Sequence, residues 1–472
     1  MKKIVILCSL CFHLSFGQNS ITQDIESKKT DYVDMAQKIW NLAEPGYLEN
    51  QTSEVLKQNL QKNGFSISPV PTNMPTAFIA SYGSGKPVIA ILAEMDALPG
   101  LSQEAVSFKK AKALNAYGHG CGHNLFGVGS TAAAVAIKNW LLSNKVQGTV
   151  RLIATPAEEG AGGGKTYLVK AGVFADVDAV LHWHPGDNNN ASPNSSLAYR
   201  VANFTFEGLA AHASASPEKG RSALDAVEAM NHMVNLMREH ISPETRIHYV
   251  IKNGGLTSNI VPDYAKVEYT VRNPSAQGLE AVWARVLKTA QAAALGTETT
   301  MKMEVMAGLY DLLPNVTLAK SMQNSLEKVG GIAYNSEEIA FAEKLQKTVS
   351  ATTLPAIIDA NTVANFKEGL FFWASTDVGD VSYVVPTAGL STATWVPGTP
   401  AHSWQAVACN GMSIGHKGML TAAKTIALTA ADLFTNPKTI KAAKQELNSR
   451  RGPNFQYKSL AGDREAPLDY RK

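Results

Sequence analysis

The sequence predicts an α/β protein, in which a catalytic domain with a mostly parallel central sheet is interrupted by an inserted ferredoxin-like α+β domain. Two observations lead to this prediction. Several continuously apolar runs end in carboxylates or histidines, which is typical of buried parallel strands that carry a site at their C-terminal ends. Between residues 199 and 310 the pattern changes to β-α-β-β-α-β, the order of a ferredoxin-like unit. We therefore expect catalytic segments at 19–198 and 311–472 around an insert at 199–310.

Length and composition are those of an ordinary soluble globular protein. The 472 residues exceed the size of a single core, and the chain is 45% hydrophobic and 18% charged. The net charge of +3 is too small to indicate a nucleic acid or an anionic membrane as a partner. We expect two domains and a small-molecule substrate.

The N-terminus has the pattern of a secretory signal peptide. Lys2 and Lys3 precede an apolar run at 4–16, and small and polar residues follow from Gly17. The run is too short for an ordinary membrane span. We expect a signal peptide at 1–18, an exported mature protein (periplasmic or secreted) and no membrane span in the mature chain. The alternative is an N-terminal strand or buried helix.

Two cysteines, Cys121 and Cys409, remain after the signal segment. An exported protein that depends on disulfides would carry more of them. A single disulfide between these two stays open at this stage, although the histidines around Cys121 favour a metal-bound thiolate.

The first buried strand is predicted at 87–93, after helical spacing at 23–62. It ends in Glu94 and Asp96, where open α/β sheets place their active sites. The alternative for both carboxylates is a solvated loop with a Pro-Gly turn.

The segment 117–124 contains a thiol and two imidazoles within five residues: His119, Cys121 and His123. Thiolate and imidazole together suit Zn²⁺ and neighbouring transition metals. A Gly-rich turn with exposed histidines is the alternative, because short motifs match by chance. An Ala-rich helix is predicted directly afterwards, at 125–144.

Two further buried strands are predicted at 148–155 and 178–183. The first leads to Glu158 and Glu159, of which one can bind a metal while the other acts as general base towards the reacting water. A helix N-terminus, which favours acids, is the alternative. The second leads into His182 and His184, and one structural histidine is as consistent with the pattern as two ligands.

The insert and the C-terminal half complete the pattern. After the insert, helices are predicted at 318–329 and 336–349, and His402 lies in a Pro/Gly loop before an Ala-rich helix at 414–434. The tail after Asn436 is polar, and we expect it to be surface structure. Within the insert we predict strands at 201–206, 245–251, 265–271 and 301–306 and helices at 222–239 and 279–294.

Taken in order, five motifs resemble the aminoacylase/carboxypeptidase-type di-metal metallopeptidase superfamily, and its amidohydrolase branch in particular. Each motif alone is weak, but five in this order are specific. They are Glu-Met-Asp-Ala-Leu-Pro-Gly at 94–100, Gly-His-Gly-Cys-Gly-His-Asn at 118–124, Pro-Ala-Glu-Glu-Gly at 156–160, Ser-Thr-Asp-Val-Gly-Asp-Val-Ser at 375–382 and Gly-Thr-Pro-Ala-His-Ser-Trp at 398–404.

The resemblance implies a site for two divalent ions, Zn²⁺ or Mn²⁺. Glu158 is then the general base and acid, and Asp96 orients a ligand. Glu94 stands where many relatives have a histidine ligand, so its contact stays open, and His119 and His182 match no ligand position. The implied metal ligands are Cys121, His123, Glu159, His184 and His402.

In the insert, the resemblance implies three residues that face the substrate. His212, in the segment 208–213, matches a lid histidine that reaches the partner subunit's active site and stabilises the oxyanion. Asn259 and Arg272 match residues that hold a substrate carboxylate, and Arg suits bidentate capture. A surface charge is the alternative for Arg272. The insert is thus expected to be a lid and dimerisation domain of a homodimer.

We therefore predict a metal-dependent amidohydrolase that cleaves the amide bond of an N-acyl or N-aroyl amino acid, such as p-aminobenzoyl-glutamate, by metal-activated water. One alternative is a dipeptidase or aminoacylase of the same superfamily. Another is a catalytically silent ligand-binding subunit, which the complete ligand set disfavours. A nucleobase deaminase is disfavoured because the chain lacks a Pro-Cys-x-x-Cys pair. The requirement for a second, different subunit stays open.

Overall fold

The computed structural model describes residues 21–160 and 163–470, and the described residues form a six-stranded and a four-stranded β-sheet, each with its own hydrophobic core, and a short two-stranded sheet. The predicted signal segment lies outside the described residues. The mixed α/β architecture, with a largely parallel central sheet and a second α+β unit, confirms the predicted fold class.

The N-terminal part contains the predicted helices and buried strands together with further elements that were not predicted. Its helices are α1 (Lys29–Leu42), α2 (Asn50–Lys62), α3 (His123–Asn144) and α4 (Gly164–Lys170). Its strands are β1 (Ser66–Pro69), β2 (Phe78–Ser84), β3 (Val88–Ala93), β4 (Gly148–Ala154), β5 (Ala179–Gly186) and β6 (Asn194–Ser195).

The insert and the C-terminal part add the remaining elements. The insert contains β7 (Ala198–Glu207), α5 (Ala223–Met237), β8 (Arg246–Asn253), β9 (Tyr264–Asn273), α6 (Ala276–Gly296) and β10 (Thr300–Leu309). The C-terminal part contains α7 (Val316–Val329), α8 (Ser336–Gln346), β11 (Leu370–Phe371), α9 (Val378–Val384), β12 (Thr387–Ala393), α10 (Trp404–Asn410), α11 (Ser413–Thr435) and α12 (Pro437–Arg451).

The catalytic sheet has the strand order β1-β2-β4-β3-β5-β12. Strands β4, β3, β5 and β12 are parallel, whereas β2 is antiparallel to β4 and β1 is antiparallel to β2. Every residue of β3 is buried, as expected for a central parallel strand. Strands β1, β2 and β12 were not predicted, because their Ser, Thr and Gly residues interrupt the apolar runs on which the prediction depends.

Helix α3 begins inside the metal-binding motif and crosses the core of this lobe, where it packs against α11, α1 and α2. It is long and apolar enough to span a membrane by length and composition, but 83% of its most apolar window is buried inside the protein. In the described part of the chain it alone passes that test. Its apolar character is therefore explained by core packing.

The insert forms an antiparallel sheet with the order β10-β7-β9-β8. This is the order of a ferredoxin-like unit, and α5 and α6 cover one face of the sheet. Strand β8 is at the edge, and most of its residues are exposed. The sheet spans Ala198–Leu309, and the domain boundaries at 199 and 310 stay a prediction.

The C-terminal tail after Asn436 lies mostly at the surface, as its polar composition suggested, but a few of its side chains anchor it in the cores. Helix α12 buries Ile440, Ala443 and Leu447 and packs against α7. The chain then runs along the insert, where Leu460 is buried in its core, and continues to Tyr470 beside the candidate site. Apolar residues spaced one turn apart were too few in this polar helix to predict that packing.

Candidate metal centre

The predicted site residues of the catalytic lobe come together at the C-terminal ends of the parallel strands. Loops after β3 and β4 bring Asp96 and Glu159, and β5 brings His184 near its end. The loop before α3 brings Cys121, and the loop before α10 brings His402. Parallel strands end at the same sheet edge, so motifs distant in sequence meet there.

Cys121, His123 and His184 form one group of potential ligands. Their ligand atoms lie within 4.8 Å of one another, and the Cys121 Sγ is 3.3 Å from the His184 Nε2. Cys121 and His123 are buried. His184 Nδ1 lies 2.7 Å from the carbonyl oxygen of Pro185, which leaves its Nε2 directed at the thiol.

Cys121 also belongs to a second group, with Glu159 and His402. The His402 Nε2 is 3.4 Å from Glu159 Oε1, and the His402 N–H donates to the Gly120 carbonyl at 3.1 Å. His402 has φ +55°, a left-handed conformation that costs a non-glycine residue energy and that occurs at functional sites. The two groups therefore describe adjacent positions that share the Cys121 sulfur.

Asp96 is buried and holds two of the predicted ligands. Its Oδ1 is 2.9 Å from His123 Nδ1, and its Oδ2 accepts a hydrogen bond from the Glu159 N–H at 2.9 Å. A carboxylate at Nδ1 fixes the tautomer in which Nε2 is the ligand atom. These contacts are compatible with the orienting role that the resemblance implies for Asp96, which stays a prediction.

Glu94 contacts both the site and a lysine that the sequence motifs do not single out. Its Oε2 lies 3.0 Å from His123 Nε2, and its Oε1 lies 2.7 Å from the Nζ of Lys165. Lys165 is fully buried and also contacts Asp377 Oδ1 at 2.5 Å. Although burial acts in the opposite direction, the Lys165 ammonium holds the pKa of Glu94 below its usual range. In the sequence, Lys165 is a single lysine between a run of glycines and an apolar segment, and no neighbouring residue indicates that it contacts the site.

Glu158 lies beside these groups and is half-buried. A carboxylate oxygen of Glu158 lies within 4.8 Å of ligand atoms of Glu94 and His123. Burial, and then the negative charges of Glu94 and Glu159, raise the pKa of Glu158 well above its usual range. A carboxyl group with a raised pKa can both accept and return a proton near neutral pH, which general acid–base catalysis needs.

The loop that carries Glu158 and Glu159 is held by residues from distant parts of the chain, which the motifs did not reveal. Glu49 accepts a hydrogen bond from the Ala157 N–H at 2.9 Å, and Ala157 has φ +56°. At the other end, the Tyr470 hydroxyl donates to the Glu159 carbonyl at 2.9 Å. This strained loop is therefore fixed from the N-terminal helices and from the tail.

The remaining candidates of this lobe are structural in their contacts. His119 is buried with its Nε2 3.2 Å from the Ile39 carbonyl, and burial lowers its pKa to about 3. His182 packs against Gly389 of β12, where a Cβ would lie 2.4 Å from its ring. Cys121 and Cys409 are both free thiols, so the disulfide left open by the sequence is wrong.

The three insert residues divide into two places. Arg272 lies towards the catalytic lobe, where its Nη1 donates to Ser375 Oγ at 3.0 Å. His212 and Asn259 lie together on an exposed part of the insert, where Ala213 N–H donates to the Asn259 carbonyl. Among the described residues, the hydrogen bonds of His212 and Asn259 stay within the insert, and the structure does not bring them to the site of the same chain.

The donor set fits divalent transition metals. One thiol, three imidazoles and carboxylates from three residues have their ligand atoms in overlapping groups. Within those groups, the buried His123 Nε2 and Glu94 Oε2 face each other at 3.0 Å without forming a hydrogen bond. Buried polar atoms without hydrogen bonds are costly, and a cation between them would satisfy both.

Comparison with known proteins agrees with this geometry. The family model described as "Peptidase family M20/M25/M40" matches residues 90–353. One subunit of the p-aminobenzoyl-glutamate hydrolase of Escherichia coli, which the five motifs resemble, is 40% identical over 90% of this chain and 94% of its own. The Xaa-Arg dipeptidase of Mus musculus is 29% identical over 88% of each chain. A dinuclear metal-binding peptidase of the M20 family from Bacillus subtilis superimposes with a TM-score of 0.58 and 18% identity, over 87% of this chain and 99% of its own.

Proposed function

This chain belongs to peptidase family M20/M25/M40 and is a hydrolase of amide bonds, and we propose that it cleaves N-acyl or N-aroyl amino acids of the p-aminobenzoyl-glutamate type. The observation that carries the proposal is the pair of ligand groups that share the Cys121 sulfur, with Glu158 beside them. The 40% identity to a subunit of a p-aminobenzoyl-glutamate hydrolase supports the substrate class.

We propose that two divalent ions occupy this centre, with Zn²⁺ favoured by the thiolate and imidazoles and Mn²⁺ as the alternative. When bound, the ions would polarise the amide carbonyl and lower the pKa of the attacking water. The proposed ligands are Cys121, His123, Glu159, His184 and His402.

In the proposed reaction, Glu158 moves the proton. Its carboxylate accepts a proton from the attacking water and returns it to the nitrogen of the leaving amino acid, which splits the amide into an acid and an amine. Asp96 holds the His123 ring and the Glu159 amide, so that these groups need no rearrangement during the reaction.

On the substrate side, we propose that Arg272 binds the carboxylate of the leaving amino acid in the site of its own chain. Asn259 would bind the same carboxylate, and His212 would stabilise the oxyanion, both in the partner subunit's site. His212 and Asn259 are exposed neighbours in the insert, which is compatible with action across a dimer. Strand β8 supports a homodimer through the insert, because this edge strand exposes Tyr249, Val250 and Ile251. A second, different subunit is a further proposal, suggested because the Escherichia coli relative is named as one of two subunits of its hydrolase.

The test of this proposal is amine release by the purified protein, loaded with Zn²⁺ or Mn²⁺, from p-aminobenzoyl-glutamate, N-acetyl amino acids and dipeptides. We expect glutamate release from the aroyl substrate. E158Q should lower kcat about 1,000-fold with the metal content unchanged. E159Q is the matched control, because the same change at a proposed ligand should lower the metal content. Full activity of E158Q would remove Glu158 from the mechanism.

The second candidate function is a dipeptidase, which the 29% identity to an Xaa-Arg dipeptidase favours. The proposed metal centre and the role of Glu158 are the same for both functions. A preference for dipeptides over N-aroyl amino acids in the same panel would select this candidate. Export of the mature protein after removal of residues 1–18 is a separate proposal, supported by the charge and hydropathy pattern of that segment.

A further inference from the structure

A row of three side chains crosses the face of the insert sheet that no helix covers. Tyr199 of β7 pairs directly with Arg272 of β9, and Arg272 pairs directly with Arg246 of β8. Directly opposed residues of antiparallel strands project from the same face. Their sequence neighbours Ala198, Val271 and Ile247 are buried in the core of the insert, on the face packed by α5 and α6.

One end of this row touches the catalytic loop. The Tyr199 hydroxyl donates to the carbonyl of Gly160, the residue after Glu159, at 3.3 Å. The Arg272 guanidinium lies 5.1 Å from the centre of the Tyr199 ring and donates to Ser375 Oγ. Ser375 is two residues before Asp377, which contacts Lys165 beside Glu94. The row therefore extends from the proposed metal centre outwards.

Arg246 and Arg272 carry like charges at directly opposed positions of the sheet. Among the described residues, neither Arg246 nor Arg272 forms an ion pair. The exposed Glu244 carboxylate attracts Arg246 from beyond ion-pair distance and accepts its hydrogen bond from the Ser242 hydroxyl instead. Like charges directly opposite each other destabilise an antiparallel pair. An anion bound between them would offset that repulsion.

Arg246 is held in place by its other contacts. Its Nη1 donates to the carbonyls of Pro243 and Thr245, and its guanidinium lies 5.5 Å from the centre of the exposed Trp373 ring. These contacts leave the other N–H donors of the exposed guanidinium for a ligand. Trp373 and Ser375 come from one segment, so that segment contacts both arginines.

We propose that Arg246 is a specificity-determining residue that binds the side-chain carboxylate of an acidic leaving amino acid, while Arg272 binds its α-carboxylate. This rests on the proposed function and on the place of Arg272 in it. Cβ atoms of opposed residues are about 4.5–5.5 Å apart, a spacing that the two carboxylates of aspartate or glutamate can bridge. The same pair of positive charges repels a leaving residue with a cationic side chain.

The experiment compares p-aminobenzoyl-glutamate with p-aminobenzoyl-glutamine, which differ only in the charge of the side chain. We expect R246Q to lower kcat/KM for the glutamate substrate about 10- to 100-fold, mainly through KM, and to change the glutamine substrate less than about twofold. R246K should retain part of the preference. R285Q is the matched control, because Arg285 lies on α6 at the opposite face, where it donates to the His240 carbonyl. It should leave both substrates unchanged.

Two outcomes overturn the inference: an equal loss with both substrates, or no loss with either. Failure of the proposed function is distinguishable, because the wild-type protein would then hydrolyse neither substrate with either metal. In that case, calorimetric titration with free glutamate and free glutamine decides the role of Arg246. Tighter binding of glutamate that is lost in R246Q supports it, and equal binding of both amino acids by the wild-type protein refutes it.

Discussion

Replacement of Lys165 by methionine is expected to be the most disruptive single change outside the proposed ligands. Methionine has a similar volume but no charge, so the Glu94 and Asp377 carboxylates would lose the cation that lies 2.7 Å and 2.5 Å from them. All three side chains are buried, so water cannot replace the ammonium. Removing one partner of a buried ion pair costs about 3–5 kcal/mol. We expect K165M to lose that much free energy of unfolding.

The assay is urea unfolding of the metal-free protein, followed by tryptophan fluorescence, for the wild-type protein, K165M, D377N and the double variant. Because Lys165 also donates from its backbone N–H to Asp377, the carboxylate keeps one partner in K165M. The double variant removes one of the two uncompensated charges. It should therefore be less destabilised than the sum of the single variants, by about 1–3 kcal/mol.

Two results would refute this reasoning. If K165M unfolds within about 1 kcal/mol of the wild-type protein, the ion triad contributes little net stability. If the single losses add without coupling, Lys165 and Asp377 act independently. K344M on α8 is the control, because Lys344 forms no ion pair in the described part of the chain, and it should leave the stability unchanged.

Two further predictions concern groups that support the site from outside. Burial raises the pKa of Asp380 to about 7 in the folded protein. Because this value is higher than the pKa of an aspartate in the unfolded chain, protonated Asp380 stabilises the fold at low pH. That stabilisation is lost as the pH rises through 7. The metal-free protein should lose about 2–3 kcal/mol from this group between pH 5 and pH 8, and D380N should not, in unfolding measurements at both pH values. Y470F removes the hydrogen bond to the Glu159 carbonyl and should weaken metal affinity about fivefold in a chelator competition. The control Y310F, which removes a similar hydrogen bond to the Lys458 carbonyl, should leave the affinity unchanged, and equal affinities for both variants would argue against a positioning role for Tyr470.

The main elements of the fold follow from local patterns. Strand β3 was predictable because all its residues are apolar, and β4 because nearly all of its residues are buried. Strand β2 was not predictable, because its Ser, Tyr and Gly residues are stabilised by pairing with β4 rather than by their own periodicity. The anchoring contacts of the tail after Asn436 were not predictable for a related reason: they are made by a few residues, such as Leu460, whose partners lie far away in sequence.

The candidate site divides in the same way. Cys121 and Glu159 could be named from sequence because each lies in a short motif whose chemistry is visible in neighbouring residues, and His402 could be named only because its motif resembles one of the superfamily. Lys165 and Tyr470 could not, because a single lysine or tyrosine has no local signal, and its role depends on which carboxylate or carbonyl the folded chain brings within hydrogen-bond distance.

The sequence by itself determined the buried strands β3, β4 and β5, the main helices and the motifs that carry the potential ligands, since these depend on apolar periodicity and on residue type. Only the tertiary structure decided that Cys121 lies between two ligand groups, that Lys165 neutralises Glu94, and that Arg246 stands opposite Arg272. Those relations depend on strand register and on the packing of distant segments. Electrostatic interactions change steeply with separation in a low-dielectric interior, so a shift of one residue in register would abolish them.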